Sequence, residues 1–161
     1  MDEKKDVEWI RFRRNRFSTR LPSHYRYSLS HYWFDEYRPG VWRIGMTGFA
    51  TRMLGEIVEF DFEVQDGQPV KVGDEIGWIE GFKAISDIYC AANGDFRGVN
   101  DAVVADTSIV CARSYDDGWL YQVEGAPETG SVDVDGYIRH LELTIDKMLE
   151  KPWKKPEVSE G

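Results

Sequence analysis

From position 25 onward, apolar residues fall into short runs separated by glycine-rich breaks. Aromatic and β-branched residues gather in 25–34 and again in 41–44, with Arg38-Pro39-Gly40 between them as a turn. The spacing turns helical over 49–54, and Gly55 follows where a helix is commonly ended. Ile57, Phe60 and Phe62 mark a strand running to Val64, after which Asp66-Gly67-Gln68-Pro69 and Val72-Gly73-Asp74 punctuate the chain. Two further strands, 76–80 and 84–91, flank Lys83. Asn93-Gly94 predicts a tight hairpin leading into a strand at 96–99, and 119–123 is the last strand. Over 134–149, Tyr137, Ile138, Leu141, Ile145, Met148 and Leu149 recur at helical intervals and predict an amphipathic helix. Short strands with a terminal helix predict a mainly β fold: a β-sandwich or flattened barrel with short helices and a C-terminal helix.

The chain has 161 residues, of which 42% are hydrophobic and 30% charged, which suits one globular domain. Charge divides it further. The formal net charge is −9, yet residues 1–26 hold eight basic and four acidic side chains. Everything after them is therefore strongly acidic, which argues against nucleic-acid binding by the main domain. The basic stretch Arg11-Phe12-Arg13-Arg14-Asn15-Arg16-Phe17 interleaves aromatics with arginines. The expected organisation is a basic N-terminal extension (1–24), one domain (25–150) and a polar tail (151–161). No apolar run approaches the roughly 18 residues needed to span a bilayer. Met-Asp-Glu-Lys-Lys-Asp at the start carries no apolar leader, so no membrane association and a cytoplasmic location are expected. Cys90 and Cys111 cannot make a disulfide framework, and His24, His31 and His140 have no metal-ligand spacing.

Motifs for catalysis are absent: the chain has no phosphate-binding glycine loop, nucleophile elbow or zinc helix. His31, in His31-Tyr32-Trp33, reads as a packed, hydrogen-bonded strand residue rather than a general base. No nucleophile, base and orienting group come together, so a catalytic role is not expected. One segment stands apart, Ile79-Glu80-Gly81-Phe82-Lys83-Ala84-Ile85-Ser86-Asp87-Ile88-Tyr89. A lysine between two apolar strands belongs at a hairpin tip, its ammonium in water. By itself this is an ordinary turn lysine.

Glu80-x-x-Lys83-Ala84-x-Ser86-Asp87-Ile88-Tyr89 resembles the lipoyl-attachment motif of the glycine cleavage system H protein family. Four more blocks are similar to that family in the same order. They are Tyr27-Ser28-x-x-His31-x-Trp33; Ile44-Gly45-Met46-Thr47-x-x-Ala50-x-x-Leu54-Gly55 with Glu56-Ile57-Val58; Asn93-Gly94 with Val99-Asn100; and Tyr115-Asp116-Asp117-Gly118-Trp119-Leu120. The similarity spans about 25–149 and implies a lipoyl/biotinyl-domain-like β-sandwich. It further implies lipoic acid in amide linkage on Lys83, attached by a lipoate ligase or lipoyl transferase. The implied activity is that of a non-catalytic carrier. Such a carrier shuttles the aminomethyl group of glycine between glycine decarboxylase, aminomethyltransferase and dihydrolipoamide dehydrogenase.

Departures from the family pattern are equally readable. Gly81-Phe82 stand where the family usually has Ser-Val, so a looser turn and an exposed apolar group beside the arm are expected. Cys90-Ala91 replace Ser-Pro, which puts a thiol within the strand. Tyr32 stands where the family typically has glutamate, in a place suited to a cleft beside the arm; Asp35 or Glu36 would then compensate. These changes keep an alternative open, an H-protein-like lipoate-binding protein of a sulfur-oxidising heterodisulfide-reductase-like system. An unlipoylated interaction module is the other, opposed by the retained Lys83, Glu80, Ala84, Ser86 and Asp87. A biotin carrier is disfavoured because Lys83 lacks flanking methionines.

Overall fold

The structure is a computed structural model and describes residues 7–150. In chain order the elements are β1 (Trp9–Arg14), β2 (Phe17–Pro22), β3 (Arg26–Tyr27), β4 (Tyr32–Arg38), β5 (Val41–Met46) and α1 (Gly48–Leu54). They continue with β6 (Ile57–Phe62), β7 (Pro69–Val70), β8 (Glu75–Gly81), β9 (Ile85–Tyr89) and β10 (Ala92–Val99). Last come α2 (Asp101–Ala105), α3 (Ile109–Ala112), β11 (Tyr121–Pro127) and α4 (Val134–Glu150). A six-stranded sheet runs β3-β4-β5-β11-β10-β7, a three-stranded sheet runs β6-β8-β9, and β1-β2 form a separate ribbon. The architecture is the expected mainly β flattened sandwich with a C-terminal helix.

Two buried clusters hold it together. The first joins the six-stranded and three-stranded sheets through Phe34, Ile44, Ile76, Ile79, Ile88, Leu120 and Val123. The second is mostly aromatic and includes Tyr25, Tyr27, Trp33, Phe49, Tyr115 and Tyr137. Alternation along β4 explains the division: Tyr32 and Phe34 enter the first cluster while Trp33 enters the second. A strand buried on both faces needs an unbroken apolar run, and Tyr32-Trp33-Phe34 supplies one. Helix α4 seals the second cluster with Val134, Tyr137, Leu141 and Ile145, whereas Met148 and Leu149 at its end stay exposed.

One expectation gives way. Asn93-Gly94 make no tight turn but lie inside β10, with Gly94 opposite Gly125 on β11. A Cβ at either glycine would strike the facing backbone, so the pair marks a close strand approach rather than a reversal. Within the N-terminal extension, residues 9–22 form a hairpin folded back on the body. Its Phe12, Phe17 and Leu21 are buried in the second cluster beside Phe49, Leu141 and Ile145. Arg14, on the same face, forks onto Asp146 of α4 at 2.7 and 2.8 Å. The hairpin turn uses Asn15 in the left-handed region at φ 56°, a conformation asparagine tolerates better than most residues. The first six residues and the polar stretch 151–161 lie outside the described residues.

Candidate functional site

Lys83 occupies the turn between β8 and β9, and the turn is seated on the end of α1. A helix end leaves carbonyls without intrahelical donors. Here the hairpin tip provides them: Lys83 N–H donates to the Leu54 carbonyl at 2.9 Å, and the Lys83 ammonium donates to the Arg52 carbonyl at 3.3 Å. Phe82 N–H donates to the Glu56 carbonyl at 3.0 Å, and Gly81 N–H closes the turn onto Ala84 at 2.9 Å. The ammonium is therefore exposed but laid along the helix end rather than projecting freely. Thr47 caps the start of α1 and Gly55, at φ 77°, ends it where the expected helix stop falls.

Gly81 does not loosen this turn; it tightens it. The residue is buried, and a Cβ there would overlap the Leu54 carbonyl. Glycine is what lets β8 press against the end of α1 and so fixes where Lys83 stands. Phe82, by contrast, is 79% exposed beside it, as the sequence predicts.

A groove of about 860 Å³ opens next to Lys83. Its walls come from β2 (Ser18, Thr19, Arg20), α1 with Gly55 and Glu56, the tip (Phe82, Lys83), and the segment from Cys111 to Asp116. Trp9 of β1 and Tyr115 add aromatic surface, their rings 6.1 Å apart edge to face. The Tyr115 hydroxyl accepts from Gly48 N–H at 2.7 Å, which ties the groove floor to α1. Asp116 on the rim is held below the usual carboxylate range by hydrogen bonding to Arg113, against the upward pull of burial. Glu56 is exposed on the same rim and makes no ion pair with the described residues.

Several singled-out residues lie elsewhere. Tyr32 is buried in the first cluster with Cys90 and Tyr121, so it does not line the groove. Burial pushes its hydroxyl up to about 12. Asp35 pairs with Arg43 across β4 and β5 and does not line the groove, and burial raises its carboxyl. Cys90 is buried, its thiol pushed up by burial and directed at the Ala92 carbonyl, which keeps it from the arm. His31 is packed and hydrogen-bonded: its Nδ1 lies 2.8 Å from the Tyr137 hydroxyl, which also meets Thr47 Oγ1 at 2.7 Å. Burial lowers the imidazole to about 4. Cys111, Arg20 and Trp9, which no sequence motif marks, join Glu56 of the second family-like block in lining the groove beside Lys83. No group of three metal-ligating side chains occurs among the described residues. No described helix is long and apolar enough to cross a membrane.

Comparison with known proteins agrees with this geometry. A family described as Glycine cleavage H-protein matches residues 25–134. The glycine cleavage system H protein of Micrococcus luteus is 34% identical over 124 residues, covering 74% of this chain and 96% of its own. That of Enterobacter sp. (strain 638) is 32% identical over 125 residues, covering 76% of this chain and 96% of its own. The crystal structure of a glycine cleavage system H protein from Mycobacterium marinum superposes with a TM-score of 0.68 at 27% identity. The superposition takes in 76% of this chain and 99% of that one. With the sandwich, the lysine-tipped hairpin and the five ordered blocks all in one chain, the protein belongs to the glycine cleavage H-protein family.

Proposed function

We propose that this protein is a cytoplasmic, non-catalytic lipoyl carrier of the glycine cleavage system. Lipoic acid joined to Lys83 would carry the aminomethyl group of glycine between glycine decarboxylase, aminomethyltransferase and dihydrolipoamide dehydrogenase. The observation that carries the reading is the rigid placement of one exposed lysine on the end of α1, at the mouth of a groove. A lipoate ligase or lipoyl transferase needs an accessible amine in a fixed frame, and the tip offers both. The bound group supplies reversible dithiol chemistry; the chain supplies position and shelter. The groove volume suits a small organic group, and Trp9 and Tyr115 give one side of it an aromatic surface. Glu56 places a negative charge on the rim, opposite in sign to an aminomethyl cargo.

With Tyr32 in the core, the absence of an acid at that position says nothing about the cargo, and that argument for a sulfur-pathway role falls away.

Incubation with a lipoate ligase, lipoate and ATP should raise the intact mass by one lipoyl group, and Lys83→Arg should abolish the gain while the far-UV spectrum stays unchanged. Lipoylation persisting in that variant would refute the site. In glycine–bicarbonate exchange with glycine decarboxylase, Glu56→Gln should lower the rate by a factor of about 3, the modest effect of an exposed charge. An unchanged rate would remove Glu56 from the cargo site and leave Lys83 untouched.

A further inference from the structure

The hairpin formed by β1 and β2 precedes the stretch matched by the family, residues 25–134, and its two faces are used differently. Phe12, Arg14, Phe17 and Leu21 face the body, where Arg14 is neutralised by Asp146 at 2.7 Å and Glu142 at 3.8 Å. Arg11, Arg13 and Arg20 face outward and are exposed. Arg11 stands directly opposite Arg20 in the strand pairing, and Arg13 opposite Ser18. Like charges in that position destabilise a strand pair. None of the three makes an ion pair with the described residues; Arg20 instead lies 5.0 Å over the Trp9 ring.

Fold stability does not account for this face. Arg20 and Trp9 line the groove beside Lys83, together with Arg52 of α1, so a body seated over the groove also meets the hairpin. Resting on the carrier reading above, we infer that the outward arginines are a docking surface for an acidic patch on a protein that acts on the Lys83 arm. The positive face lies on a chain whose other residues are strongly acidic, so it orients such a partner as well as holding it. A nucleic acid fits less well: a backbone running past the ribbon would meet Glu56 and Asp116 on the groove rim.

The test begins with the full isotope-labelled chain titrated with a ten-glutamate peptide. Amide shifts should concentrate in residues 9–22, and should vanish in 0.3 M NaCl and in the Arg11→Glu/Arg13→Glu variant. That variant puts opposite charges across Arg11 and Arg20, so the hairpin is retained. Shifts spread over the body, or tighter binding of a ten-nucleotide oligothymidylate, would overturn the proposal. With lipoylated protein, the same variant should raise KM for at least one of the three enzymes by about tenfold at low salt, with kcat unchanged. Unchanged KM for all three would overturn the docking surface while leaving the carrier reading standing. Failure of Lys83 to accept lipoate would remove the carrier reading, whereas the peptide titration would still report on the hairpin.

Discussion

Two hairpins flank the groove, and each is fixed by a different kind of force. The β8–β9 tip is held by backbone: amide hydrogen bonds from Lys83 to Leu54 of α1 and from Phe82 to Glu56 just beyond it, with the missing side chain at Gly81, fix the turn without using a buried side chain at 82 or 83. The β1–β2 ribbon is held by side chains: three buried apolar residues and the Arg14 fork leave its outward arginines without ion pairs to the described residues. A position anchored through the main chain tolerates a modified side chain, because the fold would not depend on what the lysine carried. A position anchored through side chains tolerates variation only on its outward face. That is where the arginines sit.

This contrast can be broken at its strongest point by filling the space Gly81 leaves open. Gly81→Val should lower stability by about 3 kcal/mol, measured by urea unfolding, because the Leu54 carbonyl cannot move without unseating α1. The displaced tip should also slow lipoylation. A loss below about 1 kcal/mol would show that the tip is not backbone-seated. On the ribbon, Leu21→Ala should cost about 3 kcal/mol by leaving a cavity at a site with no solvent exposure. Lipoylation of Lys83 should nevertheless proceed at the parent rate, since the tip bonds to α1 and not to the ribbon. Slowed lipoylation in that variant would merge the two hairpins into one unit.

A smaller effect sharpens the boundary between the ribbon's cluster and the rest. His31, against Phe49 and Tyr137, has its imidazole lowered from 6.5 to about 4 by burial, with His140 nearby adding to the effect. In the unfolded chain it takes a proton near pH 6.5, whereas the folded chain resists protonation until about 4. Its stabilising contribution is therefore whole above pH 6.5 and lost as pH falls toward 4, amounting to about 2 kcal/mol between pH 7.5 and 5. Urea midpoints at those two pH values measure it, with His31→Asn as control. Asparagine suits the left-handed φ of 72° and does not titrate, so a pH-dependent loss undiminished in it would place the effect elsewhere.

The tip was readable in the sequence because its signals are local. A helical run stops at Gly55, two apolar strands bracket one lysine, and the motif around Lys83 is contiguous. The ribbon was not, because its apolar residues are spaced between arginines and its turn lacks glycine, so charge masks the alternation of Phe12, Phe17 and Leu21. Asn93-Gly94 misled for the opposite reason: a strong local turn signal was spent on letting β10 and β11 approach closely. Gly81 and Tyr32 turned on long-range contacts, with Leu54 and with the first core cluster, that no spacing encodes. The groove is of the same kind, assembled from segments as distant as Trp9 and Asp116.

The ammonium of Lys83 rests on the Arg52 carbonyl, a contact that lipoylation, on the carrier reading, would weaken. A cation is drawn to the carbonyl-rich end of a helix, and an amide is not. Acylation of Nζ would remove the charge and leave a single N–H, so the side chain would keep only a neutral hydrogen bond to hold it against α1. On the carrier reading, the chemistry that would give the lysine its arm would also release it from α1.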